Sequence, residues 1–269
     1  MKYFIINKIY NLPFSNYLGG FIKKKLLKKN NITFIPTNKK ILPIKNYPIQ
    51  NSIEYQEKII NFYNNNNYVS FNTYLNLKNL LKDNFKSDET FNFLDFGGDK
   101  LDFFLDISKE FKNINYFLIN LPEVNAIIKE IKNKNNYNNL KVLDNIKEVN
   151  NFRYDFVYFG STLQYLNDYP KYLSSILPRT KNYILISATH FYNNNNYLKD
   201  IVVKQLNFLP KVYYLYFFNL DFFSKFFSDH KFEVEFNQVN NTYHSNLTTF
   251  DHLEIENIKY SDILFTKKK

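Results

Sequence analysis

The chain has 269 residues, is 45% hydrophobic and carries a formal net charge of +10 at pH 7. That size and apolar content fill the core of one large domain, or of a domain with an appendage, and exclude a disordered protein. Having no cysteine excludes a disulfide framework, a thiolate metal site and a cysteine nucleophile, and it fits a reducing cytoplasm.

The charge is less informative than it looks. Phe, Tyr, Ile, Asn and Lys dominate, while Ala occurs only at Ala126 and Ala188 and Arg only at Arg153 and Arg179. That is the bias of an AT-rich coding sequence. Nucleic-acid recognition leans on arginine forks and clustered basic faces, so scattered lysines read as a solvated surface and argue against a nucleic-acid partner. No apolar run reaches the roughly 18 residues that span a bilayer. The opening Met1-Lys2-Tyr3-Phe4-Ile5-Ile6-Asn7-Lys8 is too short and interrupted for a signal peptide.

Residues 1–52 read as an irregular basic and aromatic extension, with Gly19-Gly20, the run Lys23-Lys24-Lys25-Leu26-Leu27-Lys28-Lys29, and Pro36, Pro43 and Pro48. Phe21, Leu26 and Leu27 beside those lysines suit weak contact with an anionic membrane surface. An ordinary helix with a wet basic face accounts for them too, and is preferred. Residues 53–269 form the main domain. Its helical lead-in, 53–86, holds one pattern from Ile53 and another over 74–81. The tract Phe62-Tyr63-Asn64-Asn65-Asn66-Asn67-Tyr68 recurs over 191–197, and both copies read as loops.

After Ser87 the order becomes regular. Strands are predicted over 91–95, 116–120, 140–143, 154–159 and 183–187, with helices over 101–111, 124–132 and 169–177 between them. Such alternation implies a parallel sheet with helices on both faces. The end differs, with a helix over 220–228, a strand over 232–236 and a last strand over 261–266, the two strands pairing antiparallel. Only five glycines occur. Two close the first strand in Phe93-Leu94-Asp95-Phe96-Gly97-Gly98, and Gly160 closes the fourth. Where glycine is this scarce, the few retained mark backbone that must take φ > 0 or be approached closely. Two such loops at strand ends suggest a nucleotide-type cofactor site on an open α/β sheet.

These pieces, with Asp155-Phe156-Val157-Tyr158-Phe159-Gly160-Ser161-Thr162-Leu163-Gln164-Tyr165-Leu166 and the closing Ile263-Leu264-Phe265, resemble class I S-adenosylmethionine-dependent methyltransferases over roughly residues 90–269. The chain is most similar to bacterial methyltransferases associated with surface-polysaccharide genes. The resemblance implies a Rossmann-like, seven-stranded, mostly parallel sheet with an antiparallel last strand and helices on both faces. It implies S-adenosylmethionine as cofactor, with Asp95 reaching its amino-acid moiety and Gly97 and Gly98 lying close to the sulfonium. Asn120 and Leu121 would stand at the ribose with Glu123 as a nearby substitute for the usual acid, Asp144, Asn145 and Ile146 at the adenine, and Gly160, Ser161 and Thr162 where methyl and acceptor meet. Alternatives stay open for several of these: a strand-to-helix turn with no ligand, Glu123 as a helix-dipole acid after Pro122, and Asp144 as a loop or N-cap residue. The chain departs from the pattern where Asp99-Lys100-Leu101 replaces a further glycine and where Asn120 stands for an acid.

Methyl transfer from a sulfonium is an in-line displacement that chiefly needs an aligned acceptor, and a hydroxyl acceptor gains from a base. His190, predicted just past the fifth strand, is the candidate base, or else a loop histidine with a structural hydrogen bond. His230, His244 and His252 look more peripheral. Tyr165 and Gln164 are candidates for acceptor positioning. An aromatic insertion over about 191–219 suits a cover for the acceptor, although core packing explains it equally well. No metal is expected, because no His, Asp or Glu cluster has ligand spacing. The expected function is O-methylation of a small molecule or saccharide. A non-catalytic binding module and a nicotinamide-dependent oxidoreductase are the competing readings.

Overall fold

The computed structural model describes residues 34–37, 53–65, 75–193, 199–206, 212–239 and 258–268. The basic run 23–29, His244 and His252 lie outside them, as do residues 66–68 and 194–197 of the two asparagine tracts, whose described beginnings lie in a helix and a strand rather than in the expected loops. In chain order the elements are β1 (Phe34–Pro36), α1 (Ile53–Asn64), α2 (Leu75–Asn84), β2 (Asn92–Phe96), α3 (Asp102–Glu110), β3 (Asn115–Ile119), α4 (Pro122–Asn135) and β4 (Leu140–Leu143). The short α5 (Ile146–Val149) leads to β5 (Tyr154–Gly160), and the 3-10 turn Leu163–Tyr165 to α6 (Tyr169–Ile176). Then come β6 (Thr180–Tyr192), β7 (Ile201–Gln205), β8 (Tyr213–Asn219), α7 (Leu220–Asp229), β9 (Phe232–Val239) and β10 (Lys259–Lys267).

Continuous apolar runs make strands that can be covered on both faces. β4-β3-β2-β5-β6 pair in parallel, β10 lies antiparallel on β6, and β9 lies antiparallel on β10. Side chains alternate across the sheet. Phe93, Tyr116, Phe156 and Tyr158 therefore pack on one face with Ile60 of α1, Leu81 of α2 and Phe104 of α3. Leu94, Val157, Phe159 and Ile184 pack on the other with Leu173 of α6 and Phe227 of α7. Local chemistry sets several ends: Pro122 opens α4, Asn136 closes it at φ 55°, and Asn219 caps α7 by accepting the Phe222 amide hydrogen at 3.0 Å.

The expected seven-stranded sheet is present, and it is wider than expected. β1, β7 and β8 add to it in the order β1-β7-β8-β6, so ten strands are joined among the described residues. Most of the described residues of the 191–219 insertion are thus strand. Part of the supposedly irregular extension is strand too, since Phe34 pairs with Gln205 and is buried.

β6 makes this widening possible. Its parallel pairing with β5 ends at Gly160 opposite Ser187, and the strand then runs on to Tyr192, where Phe191 and Tyr192 pair with β8. A bulge separates the two halves. Ala188 sits at φ 54°, and its N–H and the Ser187 hydroxyl both donate to Asp262 Oδ1, at 2.8 and 2.7 Å. The bulge shifts the alternation by one residue, so Phe191 shares a face with Ile184 and Ile186, and His190 turns to the opposite side.

Candidate functional site

The chain leaves β2 toward β3 and β4, then crosses back to β5 and β6. The loops after β2 and β5 therefore diverge, and the crevice at that switch point is where open α/β sheets bind ligands. Both glycine-marked loops lie there. Gly97 has φ 91°, and a Cβ on it would overlap the Thr162 side chain from the β5 loop. A Cβ on Gly98 would overlap the Asp95 carboxylate, and one on Gly160 would strike the Tyr158 ring. Glycine is required at these positions because the protein's own side chains fill the space.

Asp95 ends β2, is 4% exposed, and accepts a hydrogen bond from the Tyr116 hydroxyl at 2.7 Å. Burial raises its pKa to about 7, the Tyr116 bond opposes the rise, and the carboxylates of Asp99 and Asp102 add to it. Tyr158 stands in register with Asp95 on β5, and burial pushes its pKa well up, helped by Asp95 and Asp262. Ser187 and Asp262 continue this buried polar row across β6 and β10.

From α1, Gln56 braces the glycine loop: its Nε2 donates to the Asp99 carbonyl at 2.9 Å and its Oε1 accepts from the Leu101 N–H at 3.2 Å. Asn120, the residue expected at the ribose, braces the other side. Its amide donates to the Gly97 carbonyl at 3.0 Å and the Gly98 carbonyl at 2.8 Å, and its oxygen accepts from the Leu121 N–H at 2.7 Å. Both donors are committed to the turn. Asn125 ties the same corner to β4 by accepting from the Asn120 N–H and donating to the Leu143 carbonyl.

At the expected adenine position, Asp144 is exposed and paired with Lys129, while Asn145 caps α5 by accepting from the Lys147 N–H at 3.0 Å. Glu123 lies exposed in the first turn of α4, the helix-acid alternative. On the β5 side, Ser161 has φ 53° and its N–H donates to the Ser187 carbonyl at 2.9 Å. Ser161 Oγ accepts from Gln164 Nε2 at 3.2 Å and lies 3.5 Å from the Tyr260 hydroxyl. The Tyr165 hydroxyl donates to Gln205 at 3.0 Å.

The candidate base is His190. It lies inside β6, 5% exposed, stacked on Phe217 at 4.5 Å and edge-on to Tyr260 and Phe34. Burial lowers its pKa to about 3, so at neutral pH the ring is uncharged and a poor proton acceptor. The structure thus gathers Asp95, Gly97, Gly98, Asn120, Gly160 and Ser161 at one crevice, sets Asp144 and Asn145 at the α5 end, and places His190 in an aromatic cluster.

Sequence reasoning missed Gln56, Tyr116, Tyr158, Ser187 and Asp262. Gln56 carried a signal, being a polar residue on the apolar face shared with Ile53 and Ile60. Asp262 carried another, as an acid inside an apolar strand. Among the described residues no group of three or more His, Cys, Asp or Glu could hold a metal ion, and no helix is long and apolar enough to cross a membrane.

No protein-family model matches the sequence, and no curated protein matches it. Solved structures do resemble the fold. An O-methyltransferase family protein from Burkholderia thailandensis aligns over 95% of this chain and 73% of its own, with a TM-score of 0.51 at 8% identity. The 1,6-didemethyltoxoflavin-N1-methyltransferase of the same organism, solved with 1,6-didemethyltoxoflavin and S-adenosylhomocysteine bound, aligns over 88% and 95%, with a TM-score of 0.50 at 12% identity. At such identities the likeness concerns architecture, and together with the strand order it shows that this chain has the Rossmann-like fold of class I S-adenosylmethionine-dependent methyltransferases.

Proposed function

We propose that the chain is an S-adenosylmethionine-dependent methyltransferase that methylates an oxygen of a small molecule or saccharide. The observation that carries this reading is Asp95, a buried carboxylate beneath a glycine turn at the switch point of a methyltransferase fold. Its pKa near neutrality means that the anion lacks full compensation, and the neighbouring Asp99 and Asp102 make the corner more anionic. A ligand carrying both an ammonium and a sulfonium group supplies that missing charge. The donor set therefore fits the cofactor in charge, with Asp95 toward its amino-acid end and Ser161 toward the acceptor.

S-Adenosylmethionine, when bound, supplies an electrophilic methyl carbon. The chain's own contribution is alignment and exclusion of water. Gln56 and Asn120 fix the turn through its backbone, the Thr162 side chain fills the space beside Gly97, and Ser161, held by Ser187 and Gln164, sets the floor on the acceptor side. The saccharide acceptor and a role in polysaccharide synthesis rest on the resemblance of the motifs, and a cytoplasmic setting on the cysteine-free composition.

One observation favours a second reading, a non-catalytic binding module. Asn120 occupies the Gly97 and Gly98 carbonyls, which a bound cofactor would otherwise find available. Calorimetry on the full chain with S-adenosylmethionine, S-adenosylhomocysteine and NAD separates the readings. Binding of the two sulfur ligands but not NAD is the expected result. A folded protein that binds neither sulfur ligand would overturn the methyltransferase reading in favour of the module.

A further inference from the structure

Among the described residues, Gln164 and His190 are buried side chains with unmet hydrogen-bonding capacity that lie in one region. Gln164 is 2% exposed; its Nε2 is anchored on Ser161, and its Oε1 has no hydrogen-bond partner. His190 is 5% exposed, and neither of its ring nitrogens has a partner. Buried polar groups are nearly always satisfied, and leaving one unpaired is costly, so two in one region call for a reason beyond packing. Tyr260 connects them, with its ring against His190 and its hydroxyl 3.5 Å from the Ser161 hydroxyl that holds Gln164.

The surroundings indicate what would satisfy both. Phe217 stacks on His190, and Phe34 and Tyr260 meet it edge-on, so aromatic surface surrounds the imidazole. A neutral imidazole offers one donor and one acceptor, and the Gln164 oxygen offers one acceptor. Polar capacity is therefore small beside the aromatic surface. A sugar would bring more hydroxyls than these groups can pair, whereas a flat ring with one or two polar substituents matches them. The position matches too, because Gln164, three residues after Ser161, is hydrogen-bonded to it at the switch point.

We propose that Gln164 and His190 are the two polar ends of an acceptor subsite that takes a flat, uncharged ring bearing hydroxyl or ring N–H donors. This rests on the methyltransferase reading for its role and narrows that reading's acceptor. His190 acts in it as a neutral hydrogen-bonding partner rather than as a base, so both residues position the acceptor.

Resorcinol tests the ring, and methyl β-D-glucopyranoside tests the saccharide. The full chain, 15N-labelled at histidine, is titrated with each, in the presence and absence of S-adenosylhomocysteine. Resorcinol is expected to shift the His190 ring nitrogen resonances saturably, while the glucoside leaves them in place. His190→Phe, which removes only unpaired groups, is expected to raise the melting temperature by about 2–4 °C, while Gln164→Met, which also removes the bond to Ser161, is expected to leave it nearly unchanged. Each should also weaken resorcinol binding by about fivefold to tenfold, the worth of one neutral hydrogen bond. A purely packing role predicts the thermal gain without the loss of affinity. Unmoved His190 resonances, unchanged affinity in folded variants, or a response to the glucoside alone would each overturn the proposal. Should a variant fail to fold, the wild-type titration decides. Failure of the methyltransferase reading appears separately, as absence of S-adenosylhomocysteine binding, and the titrations without that ligand still judge the subsite.

Discussion

Asp95 and His190 are both buried at the same edge of the sheet, and burial pushes each toward its neutral form. The outcomes differ because their surroundings differ. Asp95 keeps a donated hydrogen bond from Tyr116, so its pKa stops near 7, where a bound cation or a modest change in pH tips it. His190 has rings on its sides and no hydrogen bond, so its pKa falls to about 3 and it holds one charge state across the physiological range. Burial alone therefore does not mark a working acid or base. The partner that offsets part of the desolvation decides whether the group stays poised.

The largest effect expected from this contrast is on the pH dependence of stability. The folded-state pKa of Asp95 is raised from 3.8 to about 7, so the folded state holds its proton more tightly than the unfolded chain does. Its contribution is fully present below about pH 4 and is lost as pH rises through 7, a cost of order 4 kcal/mol at most. Urea unfolding across that range should show this slope in the wild type and a flattened one in Asp95→Asn; identical slopes would remove Asp95 from its poised role.

Gly97→Val comes next. A branched side chain at φ 91° that also meets Thr162 should cost about 3 kcal/mol of stability, along with cofactor affinity. A double-mutant cycle with Thr162→Ala should recover part of the loss, whereas strict additivity would mean that the two loops do not press on each other.

Asn120→Asp sharpens the other side of the turn. A carboxylate would face the Gly97 and Gly98 carbonyls in place of two donors, so stability should fall by about 2 kcal/mol and cofactor binding should weaken. Tighter binding in this variant would support Asn120 at the ribose. The smallest effect is the most pointed. Between pH 5 and 8 the ring resonances of His190 should not titrate, and any pH dependence of turnover should survive in His190→Gln. A midpoint near 6.5 that disappears in the variant would restore His190 as the base.

Much of the frame was legible in the residues. Apolar runs marked the strands, Pro122 marked the start of α4, and three of the five glycines in a glycine-poor chain marked the switch point. These are local properties, set by backbone sterics and by which side chains a strand or helix must bury. Partner identity is not local. That Gly97 makes room for Thr162, that Asn120 braces the turn, and that Gln56 reaches the same loop from α1 all depend on residues distant in sequence meeting at one edge. Even the direction of His190 was decided elsewhere: Asp262, on the last strand, holds the bulge at Ala188 and so turns the imidazole into the aromatic cluster. Alternation along β6 predicts the other face, and only the pairing of the two strands supplies the extra residue that reverses it.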